Sequence, residues 1–354
     1  MPTSTPDSPP LYESTVPAAG RERSSTAART RTRTQWVDVA KGIGIVLVVV
    51  GHALDGLLAA RLVEPRGLAA ASYFAIYTFH IPLFFLLAGL FVPQRLESST
   101  TGFLRDTAVR VAWPYLLWSV VQLAVIDALG NLVNQPNELD AWRIVALLWE
   151  PTSQFWFLQA LLVLALLGVV LLPRIGAFGL VAVMAVARLV EANVELPHLV
   201  ALPMRFGLFY ALGIALGPLL LARLPAVPRP RLAGIALTAL VAWAVAAAGA
   251  RVLGQSHWSL AALPAAVLGT VAVIALATLP RTAAVWIELG RASMAIFLLH
   301  VLFVAGARIG LHKGLGIEQP LVILLVACTL GIAAPLLVRA LVARAGLGRA
   351  TGLG

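Results

Sequence analysis

The first apolar segment of the chain carries four ionisable side chains. The stretch WVDVAKGIGIVLVVVGHALDG, residues 36–56, contains Asp38, Lys41, His52 and Asp55. Eleven residues turn an α-helix by about 1100°, so Lys41 and His52 share one face and lie about 16 Å apart along its axis. Each aspartate is three residues from one of them and lies close to the same stripe. Because charges inside a bilayer normally face a partner or a water-filled cavity, this stripe predicts a polar channel through much of the membrane.

His52 is the strongest candidate for chemistry in this stripe, because it lies about 24 Å of helical rise beyond Trp36. Histidine titrates near neutral pH, so His52 suits proton transfer. Asp55 is placed to fix the tautomer of its ring, as a carboxylate does in catalytic triads, although Asp38 or another group would also serve. Asp38 and Lys41 have a simpler interpretation as well, in which their side chains only extend to the cytoplasmic interface.

Two further apolar segments contain a histidine. The stretch YTFHIPLFFLLAGLF places His80 two residues before Pro82, and ELGRASMAIFLLHVLFV contains His300. If the first and ninth segments run outward and the second runs inward, His52, His80 and His300 fall in one layer of the membrane. We therefore expect the three imidazoles to meet. The simpler alternative is that His80 and His300 are only hydrogen-bonded between helices.

The composition places the chain among membrane proteins. Its 354 residues are 60% hydrophobic and 12% charged, with a mean hydropathy of +0.90, whereas soluble domains are about 45–50% apolar and about 25% charged. The net charge of +10 comes from basic residues at the ends of apolar runs, which is typical of topology signals and contacts with anionic lipid, not of nucleic-acid binding. Cys328 is the single cysteine, so a disulfide framework and a cysteine metal site are excluded. We also find no spacing typical of other metal ligands.

Ten segments are long and apolar enough to cross a bilayer, since a helix needs about 20 mostly apolar residues. They lie at 37–58, 69–92, 108–128, 155–172, 177–192, 201–222, 232–250, 258–279, 284–307 and 320–342. We therefore predict an all-α, polytopic membrane helix bundle over residues 36–344, with a retained first helix instead of a signal peptide. Residues 1–35 are predicted to form a disordered basic tail and residues 345–354 a short tail. The Arg and Lys bias between alternate loops puts both tails in the cytoplasm. The Ala-, Arg- and Gly-rich composition is typical of a high-GC bacterium, so we expect the protein in a bacterial inner membrane.

Four fragments resemble, in order, the signature blocks of one family. The fragment WVDVAKGIGIVLVVVGH, with Lys41 and His52, resembles the first-helix signature of the acyltransferase 3 family of integral membrane acyltransferases. The fragment FHIPLFFLLAG resembles its second block, from which Ala88 departs because serine is more usual there. The fragment FWFLQALL resembles its Trp-Phe-Leu block. The fragment LGRASMAIFLLH resembles its late block and supplies Gly290, Ser293 and His300.

The resemblance implies transfer of an acyl group, usually acetyl from acetyl-CoA, to a hydroxyl of a carbohydrate or a related acceptor, without a metal. The implied partners are acyl-CoA, the hydroxylated acceptor and membrane lipids. Lys41 would bind a CoA phosphate as a point charge. Asp38, Arg105 and Arg110 would assist on the same side. His52, about 16 Å further along the helix, would act as a base or be acylated in transit.

The remaining candidates concern the acceptor. His300 would hold it, relay its proton or stabilise a developing oxyanion. Further candidates for acceptor binding are His80, Gln154, Trp156 and Ser293. Gln154 and Trp156 equally suit anchors at the membrane interface. Arg188 and Arg205 are candidates for polar lining or for ion pairs.

Two other functions are open on the sequence alone. A proton-coupled transporter or exporter would use intramembrane His and Asp groups as proton carriers, and a membrane scaffold would do no chemistry. Only the enzyme would consume acyl-CoA in detergent without a gradient. Its acceptor specificity would reside in the loops 59–68, 129–154 and 308–319.

Overall fold

Helices make up the regular structure of this protein in a computed structural model. The structure describes residues 18–134, 139–280 and 283–354, with side chains from residue 35 onward. These parts of the chain contain no strand, which confirms the predicted all-α class. A chain that crosses hydrocarbon must satisfy its backbone hydrogen bonds internally, and a helix does so within one segment.

Fourteen α-helices follow one another along the described residues. Their bounds are α1 Ala18–Ala59, α2 Leu68–Gly89, α3 Val92–Ser98, α4 Thr100–Thr107, α5 Trp113–Leu129, α6 Ala141–Ala146, α7 Trp156–Glu191, α8 His198–Arg223, α9 Arg229–Val252, α10 Leu263–Thr278, α11 Ala284–Arg291, α12 Ser293–Ile309, α13 Pro320–Arg344 and α14 Gly348–Thr351. Two π-helical turns, Ala108–Ala112 and Gly310–Gly314, precede α5 and follow α12.

The protein is a multi-pass membrane helix bundle. Nine helical stretches within the described residues are long and apolar enough to span a membrane. The predicted count was ten because two predicted segments, 155–172 and 177–192, fall within the single stretch Ser153–Glu191. The predicted segment 284–307 also differs, because α11 ends at Arg291 and the spanning stretch starts at Ser293.

The long helix α7 is broken in its middle. Gly176 has φ of 68° and ψ of 176°, which is backbone geometry that favours glycine and interrupts a helix. Leu164 precedes this break and Met184 follows it, yet both side chains lie against the same residue of α8, Gly207. The two halves of α7 therefore fold back on each other and correspond to two predicted segments.

Parts of both predicted tails have regular or packed structure within the described residues. The backbone of residues 18–34 is helical and continues into the first span, in keeping with the high helix propensity of its alanines and arginines. The rest of the predicted disordered tail, residues 1–17, lies outside the described residues. In the predicted tail 345–354, the side chain of Leu353 is buried.

The C-terminal segment is held by two tryptophans of α5. The indole N–H of Trp113 donates to the carbonyl of Ala350 over 2.7 Å, and that of Trp118 donates to the carbonyl of Thr351 over 2.8 Å. Leu353 packs in the same apolar cluster as residues of α1 and α12. The end of the described chain is therefore part of the packed bundle.

Glycines let the backbones of α1 and α11 touch. A side chain at Gly42 would meet the carbonyl of Trp286, and a side chain at Gly290 would meet the carbonyl of Asp38. Gly44 lies against the ring of Phe84 in α2. The glycines beside Lys41 therefore allow neighbouring helices to approach α1 closely, as small residues do in membrane proteins.

Substituting Gly290 by alanine is expected to destabilise the bundle. The added methyl group would overlap a backbone carbonyl that cannot rotate away, and such overpacking costs about 1–3 kcal/mol. Thermal unfolding of the purified protein in detergent should show a lower transition temperature for Gly290→Ala. Gly306→Ala in α12, where nothing lies within 4 Å of an added methyl group, is the matched control. An equal transition temperature in both variants would contradict the proposed close contact.

Candidate active site

A pair of histidines lies at the centre of the candidate site. The ring centroids of His52 in α1 and His300 in α12 are 5.0 Å apart, with an interplanar angle of 57°. His300 is fully buried, whereas His52 is partly exposed. The structure thus brings together two of the three predicted imidazoles and leaves one of them accessible.

Backbone carbonyls set the tautomer of His300. Its Nδ1 atom lies 2.8 Å from the carbonyl oxygen of Phe297 and 3.0 Å from that of Ile296. A carbonyl oxygen only accepts, so Nδ1 carries the proton and Nε2 keeps a lone pair. This Nε2 atom is buried and has no hydrogen-bond partner within the described parts of the chain. His300 therefore presents a proton acceptor inside the bundle.

His80 repeats this arrangement on α2. Its Nδ1 atom donates to the carbonyl of Ile76 over 2.8 Å, and its buried Nε2 atom has no partner among the residues that the structure describes. The ring of Tyr77 connects it to His52, with centroid distances of 4.7 Å to His80 and 6.1 Å to His52. His80 thus belongs to the same cluster, one aromatic ring away from the pair.

Tyr77 and His257 are functional candidates that the sequence analysis missed. Tyr77 lies close to α1 because Gly51 has no side chain, and an added Cβ there would be 2.8 Å from the tyrosine ring. His257, in the loop after α9, has its ring 5.3 Å from that of Tyr77. The i, i+3 spacing of Tyr77 and His80 would have revealed the tyrosine, but no local signal points to His257.

Asp55 forms no hydrogen bond with His52 in the described residues. It is exposed and makes no hydrogen bond or ion pair with a histidine in the described residues; its nearest polar neighbour on α2 is Tyr73. Three residues turn a helix by about 300°, so the carboxylate points some 60° away from the imidazole. The group beside His52 is instead the imidazole of His300.

The predicted polar channel along α1 is interrupted by apolar side chains. Ile45 and Val48 lie between Lys41 and His52 on the same face, and they are only 1% and 3% exposed. Both pack in a cluster that includes Phe297 of α12. The two ends of the stripe are polar, but the structure closes the space between them with branched side chains.

Lys41 keeps a free charge at its end of this face. Its side chain is partly exposed, and it forms no ion pair within the described residues. Asp38 instead lies 3.8 Å from the guanidinium of Arg291. Asp38 is therefore engaged with α11, which leaves Lys41 as the cation that an anionic group would meet.

The structure leaves Arg105 and Arg110 exposed. Arg105 is near the end of α4, and Arg110 lies in the π-helical turn before α5, a type of turn that is frequent at functional sites. Neither forms an ion pair in the described residues, whereas Arg95 pairs with Asp106 over 2.6 Å. Both guanidinium groups therefore stay available for an external anion.

Two of the predicted acceptor residues lie elsewhere. Gln154 is buried and exchanges two hydrogen bonds with Gln122, of 2.9 and 3.1 Å, so its amide is already satisfied. Ser293 starts α12, two residues after Arg291, and about 10 Å of helical rise separates it from His300. It lies at the Asp38 end of the site instead of the acceptor end.

Trp156 borders a cavity of about 860 Å³ between the ends of α7 and the start of α8, which we name the α7–α8 cavity. Beneath it, the carboxylate of Glu191 accepts from Arg188 over 2.7 Å and from the Nε atom of Arg205 over 2.9 Å. Both arginines therefore form ion pairs, one of the two roles predicted for them.

Among the described residues, no group of three or more His, Cys, Asp or Glu side chains is arranged to hold a metal ion.

Comparisons with known proteins identify the family of the chain. The family described as "Acyltransferase domain" matches residues 34–340. Nodulation protein NolL of Mesorhizobium japonicum is 31% identical over 150 residues, which are 41% of this chain and 38% of that protein. Nodulation protein NolL of Sinorhizobium fredii is 34% identical over 145 residues, 40% of this chain and 37% of the relative. The match therefore spans less than two fifths of these relatives, and no solved structure matches the chain significantly.

His257 is expected to make the stability of the protein depend on pH. Burial and the nearby Arg205 charge lower the pKa of His257 from 6.5 to about 4. Between these values the unfolded chain binds a proton at this residue and the folded chain does not, so stability falls as the pH falls from 6.5 towards 4. Unfolding temperatures in detergent at pH 7 and pH 5 should therefore differ more for the wild type than for His257→Gln. An identical difference in both proteins would show that His257 is not held neutral.

Proposed function

Since the chain belongs to the acyltransferase 3 family, we propose that it moves an acetyl or other short acyl group from acyl-CoA to a hydroxyl of a carbohydrate or related envelope acceptor. We place this activity in a bacterial inner membrane, with the N-terminus in the cytoplasm. The observation that carries the proposal is the His52–His300 pair, because His52 is partly exposed and the Nε2 atom of His300 has no hydrogen-bond partner among the described residues.

His300 is the group that orients the base. Its Nδ1 proton is held by backbone carbonyls, so its Nε2 atom can only accept a proton from a neighbour. An N–H of His52 donated to this lone pair would leave the other ring nitrogen of His52 unprotonated. This is the role that a carboxylate has in a catalytic triad, here filled by a neutral imidazole.

His52 then takes the proton of the acceptor hydroxyl. The hydroxyl oxygen forms a bond to the thioester carbon, the carbon–sulfur bond breaks, and His52 returns the proton to the sulfur of CoA. The products are an ester and a free thiol, so neither an oxidant nor a net proton is required.

Lys41 and the two exposed arginines carry the positive charge that binding of the acyl-CoA phosphates requires. A CoA phosphate would pair with the free charge of Lys41, and Arg105 and Arg110 would add further positive charge. The pantetheine arm would extend along α1 towards His52, where Ile45 and Val48 would have to move aside. These side chains would then line an apolar passage that closes when no donor is bound.

Replacing His52 by alanine is expected to abolish transfer. Loss of a general base lowers turnover by about 10²–10⁴-fold. The assay uses purified protein in detergent, labelled acetyl-CoA and a panel of hydroxylated acceptors, with size-exclusion chromatography as the test of folding. Thr329→Ala, at an exposed position of α13, is the control and should retain activity.

This assay also separates the enzyme from a proton-coupled transporter. Detergent removes any gradient, so label transferred by the wild type identifies a transferase. If folded His52→Ala protein transfers label at the wild-type rate, the proposed mechanism is wrong. If the wild type acylates no acceptor at all, the proposed function itself fails.

Replacing Lys41 by glutamine is expected to weaken donor binding. Hydrogen bonds to charged groups contribute about 1.5–3 kcal/mol, so the KM for acetyl-CoA should rise about ten- to a hundredfold. The kcat at saturating donor should change far less, because Lys41 is remote from the reacting atoms. Lys313→Gln removes the other lysine, which donates to carbonyls of Asn131 and Leu132, and should leave the KM for acetyl-CoA unchanged. Equal values of KM for Lys41→Gln and wild type would exclude Lys41 from the donor site.

A further inference from the structure

The α7–α8 cavity has the size and wall chemistry of a ligand site. Its volume of about 860 Å³ falls within the range of about 300–1,000 Å³ for small-molecule pockets. Its lining includes Ser153, Trp156, Glu191, Glu195, Arg205 and Trp258. Aromatic walls with a few polar groups are typical of specific binding sites.

Two tryptophans form a corner of this cavity. The rings of Trp156 and Trp258 are 5.6 Å apart, with an interplanar angle of 67°. Trp156 is held in place by stacking on Phe206, at 5.5 Å and 23°. Large, fixed indole faces offer apolar contact together with an N–H donor at the edge. Such a surface suits the carbon–hydrogen face of a sugar ring.

The cations near the cavity are already engaged. Arg205 directs its Nε atom to Glu191 over 2.9 Å and lies over the Trp258 ring at 5.4 Å. Arg188 donates to Glu191 and to the carbonyl of Trp258. Glu195, in contrast, is exposed and forms no ion pair in the described residues. The polar lining groups that form no ion pair in the described residues, Ser153, Asn193, Glu195 and His198, thus include both hydrogen-bond donors and acceptors, which suits the hydroxyl groups of a sugar.

A row of rings connects this cavity to the histidine pair. Trp258 lies 4.9 Å from His257, and His257 lies 5.3 Å from Tyr77. Tyr77 in turn lies 6.1 Å from His52. The cavity is therefore separate from the reacting atoms but continuous with them through contacting side chains.

We infer that the α7–α8 cavity binds a neutral sugar unit of the acceptor, in the same molecule as the unit whose hydroxyl reaches His52. This inference rests on the proposed acyl transfer, and it narrows the acceptor to a molecule with at least two units. Trp156 and Trp258 would stack on the bound unit, and Glu195 would accept hydrogen bonds from its hydroxyls. The recognition would not depend on a negative charge in the ligand.

Direct binding tests this inference without any donor. Purified full-length protein in detergent is titrated with lactose, cellobiose and chitobiose, and with the anionic disaccharide lactobionate, by saturation-transfer NMR. At least one neutral disaccharide should bind, and more tightly than lactobionate. For that ligand, Trp156→Ala should raise the dissociation constant about tenfold, the loss expected for one aromatic stacking contact.

Matched control variants separate a loss of disaccharide binding from a loss of folding. Trp286→Ala removes a tryptophan of α11 that is 38% exposed and lies outside the cavity, and it should bind like the wild type. Because Trp156 also packs on Phe206, its loss risks unfolding, so Glu195→Ala provides a second cavity variant at an exposed position. Glu97→Ala, an exposed residue of α3, is its control. Only the two cavity variants should weaken binding.

The outcomes distinguish this inference from the proposed function. Binding of no neutral disaccharide, tighter binding of lactobionate, or unchanged binding in folded Trp156→Ala and Glu195→Ala proteins would overturn the inference. If the wild type transfers acetyl groups, those results leave the transferase proposal intact. Conversely, disaccharide binding that depends on the cavity, without transfer to any acceptor, would support the inference and refute the transferase.

Discussion

The hydrogen bonds from the Nδ1 atom of His300 to two carbonyls of its own helix are the constraint on which the site depends. They fix the tautomer of a buried imidazole without a charged partner, which would be difficult to desolvate inside a membrane. The position of this imidazole relative to His52 depends in turn on glycines. Gly42 and Gly290 bring α1 and α11 into backbone contact, and α12 continues directly from α11. The chemistry therefore rests on the absence of side chains at two positions.

Much of this arrangement follows from local sequence, and the remainder depends on the neighbours of each helix. The apolar segments, the glycines beside Lys41 and the three intramembrane histidines could be predicted, because hydropathy and helical periodicity act within one segment. Partners could not. Asp55 points away from His52, and Gln154 is paired with Gln122, since the rotation of one helix against another is set by packing. His257 approaches the site from a loop, where no periodicity exists to predict it.

Ile45 and Val48 separate the charged entrance from the reacting centre. In the proposed reaction, a water-filled channel along this face would join the two sides of the membrane and expose the donor thioester to hydrolysis. Branched apolar residues avoid both problems, because they pack tightly when nothing lies between them and yield to a flexible arm of mostly apolar atoms. The polar residues at the two ends of the stripe can thus serve different reactants without sharing one aqueous space.

The break at Gly176 makes α7 a hairpin whose two far ends, Trp156 and Glu191, both border the α7–α8 cavity. The angle between the two arms is set at the opposite face of the bundle, about 22 Å of helical rise from Glu191. The backbone geometry of that turn therefore affects the width of the cavity mouth. If the cavity holds the acceptor as proposed, a substitution at this turn would alter acceptor preference without contacting the bound molecule.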